Sequence, residues 1–152
     1  MVKFTVENWN TIIKEGAQLL DKHYKEVSHF LDIPLNPNHE KYLHIEANGN
    51  LKVFIARDEN ENLLGYAVFF LNHNLHYMGS FQAVQDIIFI DPEKRGFGRT
   101  FIKYCDEELK KLGVQVVYHH VKNKKELNFS PMLERDGYEL IDLIYGKRLD
   151  KR

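Results

Sequence analysis

The segment Asp91–Gly113 reads DPEKRGFGRTFIKYCDEELKKLG and directly follows an apolar run, IIFI, at positions 87–90. Pro92 lacks a backbone N–H and therefore marks the end of a strand. The apolar residues after the loop recur at helical spacing, and Gly113 provides a helix stop signal. The segment predicts a buried strand, a tight loop and an amphipathic helix, in that order.

The loop of this segment has the composition of an anion site. Gly96 and Gly98 allow positive φ angles and close backbone approach to a ligand. The first amides of the following helix are unsatisfied, and Lys94, Arg95 and Arg99 add positive charge around them. The pattern indicates a site for the pyrophosphate of a coenzyme. Taken alone, it also fits a tight strand–helix connection with solvated charges, and no Gly-Lys-Ser/Thr follows to make it a Walker loop.

Length, charge and cysteine content narrow the class of protein. The 152 residues are the size of one domain, 1–152, and 21 basic residues nearly balance 22 acidic ones. Bulk charge therefore suggests neither a nucleic-acid coat protein nor a polyanion. Cys105 is the single cysteine, and there is no leader pattern or long apolar run, which predicts a soluble cytoplasmic protein. The eight histidines show no metal-ligand spacing, so no metal site is predicted.

The remaining sequence predicts alternating helices and strands. Helices are predicted from Trp9 to Val27, from Pro37 to Asn48, after the glycine loop, and just before Gly137. Strands are predicted at 51–57, 63–71, 81–90, 114–121 and 138–149. The order α, α, β, β, β, α, β, α, β predicts an α/β (α+β) fold with a mixed sheet, antiparallel first and parallel at its centre.

The central motif resembles the GNAT family of acyl-coenzyme A-dependent N-acetyltransferases. Gly96 and Gly98 match the two glycines of the family's loop pattern, Gln/Arg-x-x-Gly-x-Gly/Ala, whereas Glu93 stands at its first position. NLLGYAVF at 62–69 and MLERDGYEL at 132–140 are similar to other family segments, the latter to the closing Tyr-Glu-Lys-x-Gly-Phe. The resemblance covers about Leu51 to Leu149.

The resemblance implies a single N-acetyltransferase-like domain with a GNAT-like mixed sheet. Its N-terminal strands would be antiparallel and its central parallel pair would splay apart around acetyl-coenzyme A, the co-substrate, with no metal. It implies these coenzyme-binding residues: Ile88, Phe89, Ile90, Arg95, Gly96, Phe97, Gly98, Arg99, Thr100 and Asn128. For Asn128 the alternative role is capping of the short helix that follows.

Asp86 is the first candidate for the catalytic base. Aminolysis of a thioester needs a neutral amine, and an aspartate leading into an apolar run should have a raised pKa. We expect it on the same strand face as Val84 and Ile88. His119 and His120 are further base or acid candidates, because one of them should face the same cleft. The alternatives are a structural ion pair for Asp86 and buried structural roles for the histidines.

Leu133 departs from the family pattern, since many members carry a proton-donating tyrosine four residues before the closing glycine. Ser130, Tyr118 and Tyr138 are weak substitutes. Otherwise the thiolate leaves unassisted, which its pKa near 8.5 permits. Together with Glu93, Leu133 motivates one rival function, a coenzyme A-binding interaction module that has lost catalysis.

The sequence says little about which substrate accepts the acetyl group. The expected acceptor is an amine of a small molecule or of a protein. Candidate lining residues lie in the 72–80 loop and the second predicted helix, namely His73, His76, Tyr77, Met78, His39, Tyr42 and His44. A second rival, a nucleic-acid-modifying or host-directed member of the fold, rests on Lys122, Lys124 and Lys125 and the basic tail. No membrane partner is expected, nucleic acid is disfavoured, and a homodimer is left open.

Overall fold

The fold was obtained as a computed structural model, which describes residues 1–151. The strands are β1 (Lys3–Glu7), β2 (Leu51–Arg57), β3 (Leu63–His73), β4 (Phe81–Ile90) and β5 (Val116–Tyr118). The α-helices are α1 (Trp9–Glu15), α2 (Ala17–Val27), α3 (His39–Ala47), α4 (Gly98–Lys111) and α5 (Ser130–Arg135). Short 3-10 turns occupy Pro92–Lys94 and Lys125–Leu127.

The five strands form one mixed sheet in the order β1-β2-β3-β4-β5. Neighbours from β1 to β4 are antiparallel, and β4 and β5 are parallel. The predicted fold class is therefore confirmed, and the predicted bounds of β2 and β4 match. β1 was not predicted; it is a five-residue edge strand that pairs Lys3 with Arg57 and Glu7 with Val53. Its half-polar composition carries little strand signal.

The long first helix that was predicted is two helices, divided at Gly16. The Gly16 amide donates to the carbonyl of Ile12, and a Cβ at Gly16 would lie 2.8 Å from that oxygen. A glycine is needed for this close approach, so the chain turns there and starts α2. The second predicted helix begins later than expected, because Asn38 rather than Asn36 is its N-cap and accepts from the amide of Lys41.

Each face of the sheet carries its own core. On one face, the core between the sheet and the helices α1, α2 and α3 includes Trp9, Ile12, Val53, Tyr66, Val68 and Phe89. On the other face, the core between the sheet and α4 includes Phe54, Phe69, Ala83, Phe101, Cys105 and Leu109. These are called the α1–α3 face and the α4 face below. None of the helices within residues 1–151 is long and apolar enough to cross a membrane.

The last predicted strand, 138–149, is wrong, and β5 is shorter than the predicted 114–121. Residues 139–149 form no strand, and within the described chain no backbone hydrogen bond joins them to the sheet. A strand forms only by pairing with a neighbour, so apolar composition alone does not suffice. The consequence is an exposed apolar segment, with side chains such as Ile144 at 77% and Tyr145 at 89% exposure.

Candidate functional site

The two parallel strands separate partway along β4. Pairing between β4 and β5 covers Gln82–Val116, Ala83–Val117 and Val84–Tyr118 and then stops. β4 continues to Ile90, so its edge from 85 to 90 faces a gap instead of a partner strand. At the start of this gap, the side chain of Gln85 donates to the carbonyl of His120 at 3.4 Å. The gap gives unpaired backbone amides access to a ligand.

A β-bulge in β4 lies at the start of this gap. Along β3, Val68 pairs with Ile87 and Phe69 pairs with Gln85, which leaves Asp86 as the extra residue. Asp86 and Ile87 consequently both lie on the α1–α3 face, and the alternation resumes with Ile88 on the α4 face. The expectation that Asp86 shares a face with Ile88 is therefore wrong, because the bulge shifts the register by one.

Asp86 is held by a tyrosine of α3. The Tyr42 hydroxyl donates to Asp86 Oδ2 at 2.5 Å, and the Tyr42 ring stacks on Trp9 with centroids 3.8 Å apart. Burial raises the pKa of Asp86, while the hydrogen bond from Tyr42 and the charge of His120 lower it in part. The carboxyl group therefore holds a proton more readily than an exposed aspartate does. This environment suits a general base, whose carboxylate must accept a proton.

A second polar pair lies on the same face. His23 Nδ1 is 2.7 Å from the Tyr66 hydroxyl, and the His23 ring stacks on Phe89 with centroids 4.6 Å apart. Burial, with the charges of Lys122 and Arg95, lowers the pKa of His23 to about 4. This pair was not predicted from the sequence. The available signal was a histidine at the helical spacing of the buried residues of α2.

The two adjacent histidines point in different directions. His119 lies on the α4 face against Phe69 and Tyr138, and its Nδ1 is 2.8 Å from Gln85 Oε1. Burial lowers its pKa to about 4, and its Nε2 is buried without a hydrogen-bond partner among residues 1–151. His120 is exposed, and its charge acts on Asp86. Of the two candidates, the structure brings His120 toward Asp86 and keeps His119 on the opposite face.

The glycine loop presents free amides at the start of α4. Gly96 has φ +129°, a conformation that favours glycine. Within residues 1–151, none of the amides of residues 95–100 donates to a backbone carbonyl. The Thr100 hydroxyl donates to the carbonyl of Phe97, whose ring packs against Phe4 and Phe101 and anchors the loop. The packing of Phe97 thus fixes the loop against the core, while the backbone amides of the loop remain available to bind an anion.

The two arginines of the loop are paired with carboxylates. Arg95 donates to Glu26 at 2.7 Å and to the carbonyl of Ile90, and its guanidinium lies 5.2 Å from the centre of the Phe89 ring. Arg99 donates to Asp136 through two nitrogens. The two carboxylates offset the charge of the arginines. The backbone amides of the loop are therefore the donors that can bind an anion without rearrangement. Both ion pairs are partly exposed and can exchange for an anionic ligand at small cost.

Packing surrounds the strand end and the loop. Phe89 is buried on the α1–α3 face, whereas Ile88 and Ile90 lie on the α4 face. A Cβ at Gly98 would lie 3.2 Å from Met132 Cε, so Gly98 is in close contact with α5. Asn128 Oδ1 accepts from the amide of Ser130 and so holds the turn before α5, whose N-cap is Phe129.

Leu133, Tyr138 and Cys105 are engaged in packing. Leu133 is 7% exposed and belongs to the core. The Tyr138 hydroxyl donates to Asp106 at 2.5 Å on the α4 face. Cys105 is fully buried, and burial raises the pKa of its thiol, which keeps it protonated.

The candidate acceptor residues are divided between two places. Tyr42 of α3 reaches Asp86, whereas His39 accepts a hydrogen bond from Trp9 Nε1 at 3.0 Å. The 72–80 loop precedes β4 and therefore lies at the opposite end of that strand from the glycine loop. Among residues 1–151, no group of three or more His, Cys, Asp or Glu side chains is arranged to hold a metal ion.

Several solved structures that share this architecture are acetyltransferases. A ribosomal-protein-alanine N-acetyltransferase from Brucella melitensis biovar Abortus 2308 is 17% identical, with a TM-score of 0.70 over 98% of this chain and 99% of that one. Glucosamine-6-phosphate N-acetyltransferase from Arabidopsis thaliana is 13% identical, with a TM-score of 0.71 and 99% of both chains covered. A predicted acetyltransferase from Clostridium acetobutylicum, solved with acetyl-CoA, is 16% identical, with a TM-score of 0.65 over 98% and 97%.

The sequence comparisons found no match, whereas the structure comparison found many. No protein-family model matches the chain, and no curated protein matches it in sequence. The structural matches cover nearly the full length of both chains at low identity, so they report on architecture. They agree with a mixed α/β sheet flanked by helices. The chain therefore has the fold of the GNAT N-acetyltransferases.

Proposed function

We propose that this protein is an acetyl-coenzyme A-dependent N-acetyltransferase that transfers the acetyl group to an amine by direct attack. The observation that carries the proposal is the gap between β4 and β5. It begins beside Asp86 on the bulge and extends to the free amides of residues 95–100. A thioester with a pyrophosphate-containing tail fits such a gap, because the tail needs anion donors at one end and the reacting carbonyl needs donors at the other.

The unpaired edge of β4 supplies the second set of donors. When the amine attacks the thioester carbonyl carbon, the carbonyl oxygen becomes an oxyanion that a backbone amide of residues 85–90 can stabilise. One such donor typically contributes about 3 kcal/mol to transition-state stabilisation. Side-chain identity matters little for this role, which agrees with the apolar residues found there.

Asp86 receives the proton that the attacking amine loses. Its raised pKa makes the carboxylate a stronger proton acceptor than that of an exposed aspartate, and the Tyr42 hydroxyl fixes its orientation. The tetrahedral intermediate then collapses, the carbon–sulfur bond breaks, and the thiolate of coenzyme A leaves. With Leu133 where a tyrosine would donate a proton, the thiolate leaves without assistance, which a thiol pKa near 8.5 permits.

An amine is the acceptor class that the comparisons favour. The two named N-acetyltransferases with this fold are a ribosomal-protein-alanine enzyme and a glucosamine-6-phosphate enzyme, and their names indicate an amino-acid residue and an amino sugar. What these acceptors share is a primary amine. For this chain the proposal accordingly names the amine and leaves its carrier to a substrate screen.

Calorimetric titration with acetyl-coenzyme A tests the coenzyme part of the proposal. We expect micromolar binding, shared by free coenzyme A and absent for NAD. Gly98→Val should weaken it at least tenfold, because a side chain there closes the space between the loop and Met132. Gly79→Val is the matched control, since Gly79 has open space around it and lies at the far end of β4. Equal affinity of the two variants would remove the loop from the proposal.

A coenzyme A-binding module without turnover is the second candidate. The observations that favour it are the pairing of Arg95 with Glu26 and of Arg99 with Asp136, together with the buried Leu133. Release of free thiol in the presence of a panel of primary amines separates the two functions. Thiol release that depends on an added amine supports the transferase, whereas tight binding with no amine-dependent release supports the module.

A further inference from the structure

Trp9 is the single tryptophan of the chain and the first residue of α1, and it lies in the core of the α1–α3 face. Its side chain is 1% exposed, so the polar N–H of the indole needs a buried partner. That N–H donates to Nδ1 of His39 at 3.0 Å. An indole nitrogen only donates, so this contact requires His39 Nδ1 to be unprotonated. Trp9 is thus joined to the first residue of α3 by a directional bond.

Two further contacts join Trp9 to the same helix. The Tyr42 ring stacks on the indole, with centroids 3.8 Å apart and an angle of 9° between the planes. The backbone amide of Trp9 donates to Glu46 Oε2 at 2.8 Å, which satisfies one of the first amides of α1. His39, Tyr42 and Glu46 are separated by three and four residues and therefore share one face of α3. Trp9 contacts this face along most of the length of the helix.

α3 contributes little else to the core. None of its residues is buried, and Tyr42, Leu43 and Ile45 pack against the core while only partly buried. A segment with few buried apolar contacts is locally less stable, so its position depends on the specific contacts that it makes. The contacts to Trp9 are directional and therefore fix both the position and the rotation of α3.

The position of α3 decides where the Tyr42 hydroxyl lies. That hydroxyl donates to Asp86 Oδ2 at 2.5 Å, and the Tyr42 ring also lies near Phe70, with centroids 6.2 Å apart. The strength of a hydrogen bond depends steeply on its distance and angle. A small displacement of α3 would therefore weaken the contact between Tyr42 and Asp86.

Tyr42 is the one link between Trp9 and the groups that act on Asp86. Among residues 1–151, these groups come from three elements: Tyr42 from α3, Tyr66 from β3 and His120 after β5. Tyr66 is paired with His23 of α2, and His120 is exposed. Of the three, Tyr42 is the group whose ring stacks on Trp9.

We propose that Trp9 is a positioning residue for acetyl transfer, because by fixing α3 through His39 and Tyr42 it sets the orientation of the Asp86 carboxyl. Trp9 acts through Tyr42 on the group that receives the proton of the attacking amine. The inference rests on the proposed function, in which Asp86 is the general base.

NMR titration of the Asp86 carboxyl carbon tests the proposal without turnover. Asp86→Asn identifies the signal, and Tyr42→Phe gives the full effect of losing the hydroxyl donor, a rise of the titration midpoint. Trp9→Leu should raise the midpoint by at least half as much, because Tyr42 loses its stacking partner and α3 loses its anchor. Circular dichroism shows whether the variant keeps the fold. A folded Trp9→Leu chain with an unchanged midpoint overturns the proposal.

The double variant Trp9→Leu/Tyr42→Phe separates positioning from a general loss of stability. It should show the midpoint of Tyr42→Phe alone, because two residues that act through one contact do not have additive effects. Additive shifts would mean that Trp9 reaches Asp86 by another route and would contradict the proposal. Phe54→Leu is the matched control, since Phe54 is as buried as Trp9 but lies in the core of the α4 face. It should lower stability and leave the midpoint in place.

A pair of substitutions at His39 tests the same contact at a half-buried position, where the fold tolerates change. His39→Leu removes the acceptor of the indole N–H and should raise the midpoint, whereas His39→Gln keeps an acceptor oxygen and should restore it. Both variants remove the titrating ring, so the difference between them reports the hydrogen bond. Equal midpoints in the two variants would rule out the proposal even where Trp9→Leu does not fold.

Amine-dependent thiol release from the same variants separates this inference from the proposed function. The acid limb of turnover should move to higher pH together with the midpoint of Asp86. Absence of release from the unmodified protein would overturn acetyl transfer alone, because the titration reads the effect of Trp9 on Asp86 directly. Release whose acid limb stays in place while the midpoint moves would overturn the positioning role alone.

Discussion

Two tyrosine–aspartate pairs lie on opposite faces of the sheet and are chemically alike. Tyr42 donates to Asp86 on the α1–α3 face, and Tyr138 donates to Asp106 on the α4 face, both at 2.5 Å. Burial is the main cause that raises the pKa of both aspartates and both tyrosines. A raised carboxyl pKa therefore does not by itself identify a catalytic base.

The difference between the pairs is their access to the gap. Asp86 is the bulge residue of β4, at the point where pairing with β5 ends. Asp106 lies in the middle of α4 and helps to hold the chain after α5 against that helix. The same two functional groups thus form a candidate reactive centre in one place and a packing contact in the other.

The largest expected effect is on turnover, which should distinguish Asp86 from Asp106. Asp86→Asn should lower kcat/KM for an amine acceptor by roughly 10²- to 10⁴-fold, the usual range for loss of a general base. It should also flatten the acid limb of the pH–rate profile, because turnover in the unmodified protein falls as pH drops through the raised pKa of Asp86. The measurement is thiol release as a function of pH.

Asp106→Asn is the matched control for this experiment. It makes the same change in a Tyr–Asp pair with the same donor distance, and turnover should stay within about threefold of the unmodified protein. A similar loss in both variants would mean that the effect is structural and that position relative to the gap does not matter. An unchanged Asp86→Asn profile would assign the base to His120 or to water.

The second prediction concerns the buried histidine on each face. His23 lies beside Tyr66 and His119 lies beside Tyr138, and burial lowers the pKa of each to about 4 from 6.5. A histidine whose pKa is lower when folded stabilises the fold least in acid. Stability is complete above pH 6.5 and falls as pH drops toward 4, by up to about 3 kcal/mol for each group.

Denaturant unfolding at pH 7 and pH 5 measures this loss. His23→Asn and His119→Asn each keep a side-chain donor close to Nδ1 but do not titrate, so each should remove about 2 kcal/mol of the acid-induced loss. A smaller recovery for His23→Asn than for His119→Asn would show that water reaches the α1–α3 face through the gap. Equal recovery would show that both faces are similarly dry.

The sequence predicted the centre of the molecule better than its edges. The strand, glycine loop and helix around Gly96 and Gly98 could be predicted because their signals are local: an apolar run, two glycines and a helical period. Their identification with the GNAT fold came from resemblance. The His23–Tyr66 pair was not predicted, because it joins α2 to β3 across 43 residues and no local pattern encodes that contact.

Register was the limit for the candidate site. The sheet face on which Asp86 lies was inferred from simple alternation of side chains along the strand. The β-bulge shifts the pairing between Val68 and Phe69 and changes that alternation by one residue. Nothing in the run from Asp86 to Ile90 marks which residue remains unpaired. The C-terminal segment failed for another reason, since apolar strand composition does not by itself supply a neighbouring strand, and within residues 1–151 no strand pairs with it.

The smallest expected effect comes from removing the tyrosine hydroxyls. Tyr42→Phe and Tyr138→Phe each leave a buried carboxyl without its donor, which should lower the free energy of unfolding by about 1–3 kcal/mol. On stability the two pairs should therefore behave alike. They should differ in the pH–rate profile, because the hydrogen bond from Tyr42 lowers the pKa of Asp86.

Tyr42→Phe should consequently move the acid limb of turnover to higher pH, whereas Tyr138→Phe should leave it in place. The hydrogen bond stabilises the carboxylate more than the protonated acid, so its loss makes Asp86 hold its proton to a higher pH. A shift in both variants would couple the α4 face to the reaction and remove the distinction between the pairs. A shift in Tyr42→Phe alone would leave access to the gap as the property that separates a base from a packing contact.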